Sequence, residues 1–297
     1  MIKKTLPEKV FGVFNVLFMI AMCFIILFPY MNVLAVSLND SMKAVPSGLM
    51  MIPKALTFRN YKTLLSDTAI LRAIAITIGR VVSGVLLSLV VTFNAAYGLM
   101  RKNLPFRKTL VLIFFIPSYI SGGLIPLYVL YSSISLLNNP LVYILPTTFN
   151  FFNFILFRTY ISTIPDSLEE SARLDGAGEF TVMLKIFLPL CIPIIATIAL
   201  FGIVMHWNDW TTTMYFMSNN RWNTLAYELK RVLMEQDRLI AMMRDAVERG
   251  DIPIVMTSTS EGLKYAQIIL SSIPIIAIYP FLQKYFIKGM MVGGVKE

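Results

Sequence analysis

The chain has 297 residues, 57% of them hydrophobic and 14% charged, with a mean hydropathy of +0.70. A soluble domain carries roughly a quarter charged residues, so one water-soluble globule is excluded and an all-α integral membrane protein is expected. The net charge of +9 would suit nucleic acid, but that needs a basic face interleaved with aromatics. Here the Lys and Arg are scattered at the ends of apolar runs, where they read as anchors at a cytoplasmic membrane surface; no nucleic-acid partner is expected.

In chain order, the apolar run from Val10 to Leu38 is too long for the core of a signal peptide and reads as a retained first span. Five more runs of about 20 residues, the length that crosses a bilayer's hydrocarbon, bring the expected spans to six: 10–37, 71–98, 109–132, 141–160, 189–207 and 264–286. Pro117, Pro126 and Pro146 fall inside the third and fourth, where neighbouring helices can re-satisfy the backbone. Polar segments 38–70, 99–108, 133–140, 161–188 and 208–263 separate the spans. An even number of spans puts both termini on one side, and a modest excess of Lys and Arg in the segments on that side points toward the cytoplasm without deciding the orientation. The expected organisation is a cytoplasmic N-terminus at 1–9, a six-span transmembrane domain over 10–288 and a cytoplasmic tail at 289–297. Within the 208–263 loop, Asn223–Gly250 has leucines near helical spacing among mixed charges, an amphipathic helix or helical pair that either caps the outer face or docks an external partner.

Catalytic and energy-coupling chemistry is missing. No G-x-x-x-x-G-K-[ST] loop, HExxH, paired-cysteine or nucleophile-elbow motif occurs, so no enzyme, metal site or resident cofactor is expected. Cys23 and Cys191 lack metal or redox spacing and read as small apolar packers. His206, beside Trp207, reads as a polar aromatic at the interface. No Asp or Glu lies in the middle of a span, where proton-driven pumps use them. Arg72 can snorkel outward, whereas Arg80 is either paired inside the bundle or lines a polar cavity. The pattern is a membrane pathway without its own engine.

One charged segment stands between the fourth and fifth spans, "SLEESARLDGAGEFTVMLKIFLPL". Asp166 with Glu169 suggests a capping-box variant starting a helix over Ser167–Leu174, and Gly176 sits where a helix ends in the left-handed conformation. Glu169 and Arg173 are spaced to pair, which leaves Glu170 without a partner in its own helix, beside a small-residue knob of Ser171 and Ala172. Phe180, Met183, Leu184 and Phe187 then give a second helix one apolar face. The unit is either a solvated linker or a docking surface for another protein.

These residues resemble the EAA motif of ATP-binding-cassette import permeases: Glu170-Ser171-Ala172, then Asp175-Gly176, then Ile186-Phe187-Leu188-Pro189, with Ser171 in place of the first alanine. Gly48–Leu65, Trp207–Trp210 and Pro280–Glu297 resemble the carbohydrate-type, maltose-type second permease, and within it the lipoprotein-dependent Gram-positive branch. The resemblance implies a type I importer permease fold in which a cytoplasmic coupling helix seats in the ATPase, with Glu169, Glu170, Ser171, Ala172, Asp175, Gly176, Ile186, Leu188 and Pro189 forming the coupling unit. It also implies a C-terminal ATPase contact through Gly289, Gly293, Gly294 and Lys296. The implied partners are a second permease, an ATPase dimer that uses ATP and Mg, and an extracellular solute-binding lipoprotein delivering an oligosaccharide. For the substrate path, Ser118, Tyr119, Thr148, Asn150 and Asn153 could bond sugar hydroxyls or simply join helices, and Phe151, Phe152 and Phe154 could stack on sugar rings or face lipid. The coupling unit reports coupling and not cargo, so a non-sugar importer stays open. From the residues alone, so do a stand-alone carrier and a membrane scaffold for the 223–250 helix.

Overall fold

The computed structural model describes residues 5–40, 50–101, 104–249 and 259–294, and among these every regular element is helical. The chain forms two compact units, Met1–Thr68 with Arg231–Ile273, and Ala69–Lys230 with Pro274–Glu297.

In the first unit, α1 (Leu6–Ser37) begins where the Thr5 amide donates to the Glu8 carboxylate at 2.7 Å. Its apolar side chains stay exposed over most of its length, Cys23 among them, and only Ala35, Val36 and Ser37 are buried. This is what a helix facing lipid or a partner helix needs. After a bridge between Asn39 and Leu56, α2 (Arg59–Ser66) places Asn60 to donate to the Ser37 carbonyl at 2.8 Å, while Tyr61 meets the Ser37 hydroxyl at 2.7 Å. A Cβ at Gly262 would come within 2.7 Å of the Asn60 amide, so only glycine lets that segment approach the asparagine.

The second unit opens with most of α3 (Thr68–Gly98), then α4 (Arg107–Tyr119) and α5 (Leu124–Ser133). Two 3₁₀ turns, Pro140–Tyr143 and Leu145–Thr147, lead into α6 (Phe151–Ile161). Next come α7 (Asp166–Leu174), α8 (Glu179–Val182), a π turn over Met183–Phe187, α9 (Leu188–Leu190) and α10 (Ile192–Asn208). α11 (Thr211–Phe216) is followed by α12 (Leu225–Glu248) and α13 (Thr259–Gly294), which contribute to both units. Phe154 and Phe157 on α6, Val182 on α8 and Cys191 are fully buried in one cluster with Phe93, Ala96 and Tyr97 of α3. The Phe93 and Phe157 rings meet edge-on at 5.9 Å.

The six expected spans are not all single unbroken helices. α1, α3 and the Glu261–Pro280 part of α13 are long and apolar enough to cross a membrane, and the other three candidates are bent pairs. The expected 109–132 span folds back by 116° between α4 and α5, where Gly123 takes φ +82°, a conformation glycine adopts at little cost. The 141–160 span bends by 46° between its 3₁₀ turns and α6. The 189–207 span breaks by 73° at Cys191, between Leu190, which ends one helix, and Ile192, which starts the next; Pro193 sits in the first turn of the latter, where its missing N–H is harmless. α13 runs on to Gly294, through most of the stretch expected as a tail. The amphipathic pattern of Asn223–Gly250 forms one helix, α12, and Gly250 lies outside the described residues.

Arg80 is paired. It is 4% exposed on α3, donates to the Asp209 carboxylate and, at 3.0 Å, to the Asp209 carbonyl, and lies 4.7 Å from the centre of the Tyr143 ring. Just beyond α10, burial alone would push the Asp209 carboxyl up, but Arg80 and the hydroxyls of Thr211 and Thr212 bring it down to about 2. With its folded value below the free one, the pair's contribution is complete above pH 3.8 and fades only as pH falls toward 2. Asp209→Ala would leave Arg80 buried and uncompensated, a loss of about 3–5 kcal/mol. The melting temperature in detergent should therefore fall further for Asp209→Ala than for the double variant Arg80→Leu/Asp209→Leu; an equal or larger fall for the double variant would contradict this.

Candidate functional site

The charged segment between α6 and α10 is built by three devices. The first is its start: Pro165 is the N-cap and Asp166 already occupies the first helical turn, with no side-chain cap bond. The expected capping box does not form, because proline at the cap position offers no side-chain acceptor; Asp166 and Glu169 instead place negative charge at the positive end of the helix dipole. The second is its end. Gly176 takes φ +80°, the Ala177 amide donates to the Ala172 carbonyl at 2.9 Å and the Gly176 amide to the Arg173 carbonyl at 3.1 Å, which is a Schellman closure.

The third device is an ion cluster. Glu169 accepts from Arg173 one turn on, at 2.9 Å, and also from Arg101, just past the end of α3. Glu179 at the start of α8 accepts from Arg101, from Arg173 and, at 3.0 Å, from the Tyr97 hydroxyl. The Arg101 guanidinium lies 4.9 Å from the centre of the Tyr97 ring. Two bases and two acids thus tie the end of α3 to both helices of the segment. The Glu169–Arg173 pair is visible in the spacing, but Arg101 and Glu179 are not, because Arg101 lies 68 residues from Glu169.

These contacts sort the residues expected to form the coupling unit. Glu170 and Ser171 are exposed, as are Asp175 and Gly176 in the turn and Pro189 at the start of α9. Ala172 is not part of an outward knob: it packs against the α3–α6 cluster, together with Ile186 and Leu188. Exposed Leu168, Leu174 and Phe180 supply the apolar part of the outer surface. In the second helix the buried set is Val182, Met183 and Phe187, while Phe180 and Leu184 point outward. The π turn over Met183–Phe187 inserts an extra residue and rotates the apolar face away from simple helical spacing.

The substrate-path candidates separate. Asn150 and Asn153 line one cavity of about 480 Å³, with Thr147, Phe152 and His206. Ser118 bonds back to the Phe115 carbonyl at 2.6 Å and Thr148 to the Ile144 carbonyl at 3.1 Å. Tyr119 is largely exposed, its ring 4.6 Å from Phe115. Of the phenylalanines, Phe154 is fully buried, Phe151 half-buried, and Phe152 exposed at the cavity. His206 is not interfacial but buried, 1% exposed. Of the C-terminal candidates, Gly289, Gly293 and Gly294 lie on α13, and Lys296 is outside the described residues. No group of three or more His, Cys, Asp or Glu that could hold a metal ion occurs among the described residues.

Residues 84–292 match the profile of the binding-protein-dependent transport system inner membrane component family. The chain belongs to that family. It is 34% identical over 292 residues to protein LplC of Bacillus subtilis, covering 98% of this chain and 97% of LplC. It is 32% identical to the polygalacturonan/rhamnogalacturonan transport system permease protein YtcP of the same organism, covering 94% and 96%. The crystal structure of a bacterial ABC transporter that imports the acidic polysaccharide alginate contains a chain of the same fold, with a TM-score of 0.84 and 25% identity over 96% of this chain and 100% of that one. The all-α, type I importer permease fold and a place in the membrane follow from this membership.

Part-exposed ion pairs contribute less than about 1 kcal/mol each, so removing one cation shared by two acids should loosen α7 without unfolding the protein. Arg101→Ala should speed amide exchange over 166–174 by about three- to ten-fold, measured by hydrogen exchange with mass spectrometry, while α3 keeps its protection. Unchanged exchange in α7 would show that the cluster does not hold it.

Proposed function

We propose that this chain is one of two permeases in an ATP-driven importer for an oligosaccharide, and that α7 is the helix through which a separate ATPase dimer drives it. The observation that carries the coupling role is the pairing of an exposed Glu170–Ser171 surface with a backbone held by the Schellman turn and the Arg101 cluster. A surface that must transmit force needs to be accessible and unable to slip at its base. Glu170 offers a carboxylate to a basic group of the ATPase, and Ser171 and Gly176 let the two backbones come close. The glycines at 289, 293 and 294 on α13, with Lys296, would add a second contact.

The solute class is supported by relatives named for the transport of polygalacturonan/rhamnogalacturonan and of arabinooligosaccharides, and by the alginate importer. In this reading both termini and α7 are cytoplasmic, ATP and Mg are used only in the ATPase, and a solute-binding lipoprotein delivers the sugar outside. Closure of the ATPase dimer moves α7, and the bent helices behind it re-orient the path between inward- and outward-facing states.

The test is co-purification from native membranes in mild detergent, wild type beside Glu170→Lys. Wild type should bring down an ATPase, a second permease and a binding protein, and Glu170→Lys should lose the ATPase by about ten-fold or more, a like-charge juxtaposition costing several kcal/mol, while still inserting. Equal ATPase recovery with both would remove Glu170 from the interface.

A further inference from the structure

An open cleft of about 570 Å³ lies where the start of α4 meets the end of α6. Its lining carries three cations, Arg107, Lys108 and Arg158, and no Asp or Glu among the described residues. A second cavity of about 360 Å³ shares Arg107 and Arg158 and reaches Asp166 at the start of α7. Both arginines are half-buried and Lys108 is exposed.

None of the three is neutralised within the chain. Arg107 Nε donates to the Leu99 carbonyl at 2.7 Å, which fixes the side chain without supplying a charge. Among the described residues neither arginine forms an ion pair, and nor does Lys108. Arg80, Arg101 and Arg173, by contrast, each meet a carboxylate. Like charges gathered around one space repel, and half-buried charges are screened less than surface ones. An anion from outside the chain would therefore stabilise this arrangement. α4 also lacks a side-chain cap, so its first-turn N–H groups add partial positive charge at the same place.

The occupant's chemistry follows from what adjoins the cations. Leu104, Phe106 and Val111 complete an apolar side of the cleft. Phe106 takes φ +57°, uncommon for a bulky residue, and its ring is 80% exposed. From Lys108, the exposed side chains of Leu112, Phe115 and Ile116 follow at helical spacing down about 12 Å of α4. Cations at a helix end above an apolar face match a molecule with an anionic head and an apolar tail. A free anion or an acidic peptide would use the charges and leave the apolar face uncovered. Guanidinium groups fit the oxygens of a phosphate, and basic pockets between spanning helices suit acidic headgroups.

We infer that this cleft binds the phosphate of an anionic phospholipid, held by Arg107 and Arg158 with Lys108 at the rim, and that an acyl chain lies along α4. The inference needs the chain's place in the membrane, but neither the solute class nor the coupling role of α7.

The test is native mass spectrometry of the full chain, purified from native membranes in mild detergent together with the proteins it holds. Dioleoylphosphatidylglycerol and dioleoylphosphatidylcholine are titrated in turn, with glycerol 3-phosphate as a soluble competitor. The wild type should prefer phosphatidylglycerol about ten-fold or more, and Arg158→Gln should cut that preference about five-fold. Lys108→Gln, a change on the exposed rim that leaves folding untouched, should cut it several-fold. Arg72→Gln, which removes an exposed cation near the start of α3, should leave it unchanged. No preference in the wild type, or one that survives both cleft variants, would overturn the site. An equal loss in Arg72→Gln would also overturn it, since overall charge would then suffice. Displacement of the lipid by equimolar glycerol 3-phosphate would make the cleft a site for a soluble phosphate ester. Cleft variants that shed a protein partner while keeping the lipid preference would make it a protein interface; either result defeats the lipid assignment.

Discussion

Two arginines and two glutamates at the end of α3 hold the part of this molecule that another protein would touch. α7 has nine residues and buries none of them fully, and a helix that short is marginal by itself. Its place is set by Ala172 against the core, by the Schellman closure at Gly176 and by Arg101 and Arg173 bridging Glu169 and Glu179. Each of these ion pairs is part-exposed and weak alone. Their strength is geometric, since each cation meets both acids and α7 cannot rotate without breaking contacts to both α3 and α8.

The bilayer imposes a second constraint, because backbone groups within it must be satisfied internally. The long helices meet it directly, and the bends fall where the chain can still do so: at Gly122–Gly123, at the 3₁₀ turns before α6, and at Cys191 next to Pro193. The charges of α3 follow the same logic. Arg80 on α3 and Arg101 just past its end are separated by roughly 30 Å of chain at helical rise, about the hydrocarbon thickness. One pairs with Asp209 beyond α10 and the other joins the α7 cluster. The cavity lined by Ser88, Asn153 and His206 lies between them along α3.

Much of this is written in local sequence. Apolar run lengths give the membrane class, and the spacing of Glu170-Ser171-Ala172, Gly176 and Leu188-Pro189 marks the segment that the structure braces. The Glu169–Arg173 pair and the left-handed Gly176 follow from positions a few residues apart. Features that depend on distant partners are not legible. Nothing near Arg101 announces Glu169 or Glu179, nothing near Arg80 announces Asp209, and His206 looks interfacial until α3 is brought against it through Gly84. Periodicity misplaced the second helix of the segment because a π turn adds a residue that a 3.6-residue pattern cannot anticipate. The bends within 109–132 and 189–207 were not legible because hydropathy counts apolar residues and is blind to a 116° fold-back at two glycines or a 73° break at one cysteine.

The measurement that bears most directly on the coupling role proposed for the braced α7 is the number of ATP molecules hydrolysed per solute transported, in the reconstituted importer, for wild type and Arg101→Ala. If α7 is the helix that meets the ATPase, loosening it leaves contact but transmits motion poorly, so the variant should hydrolyse more ATP for each solute moved. Hydrolysis and transport falling in the same proportion would mean that the cluster only stabilises the protein and plays no part in transmission.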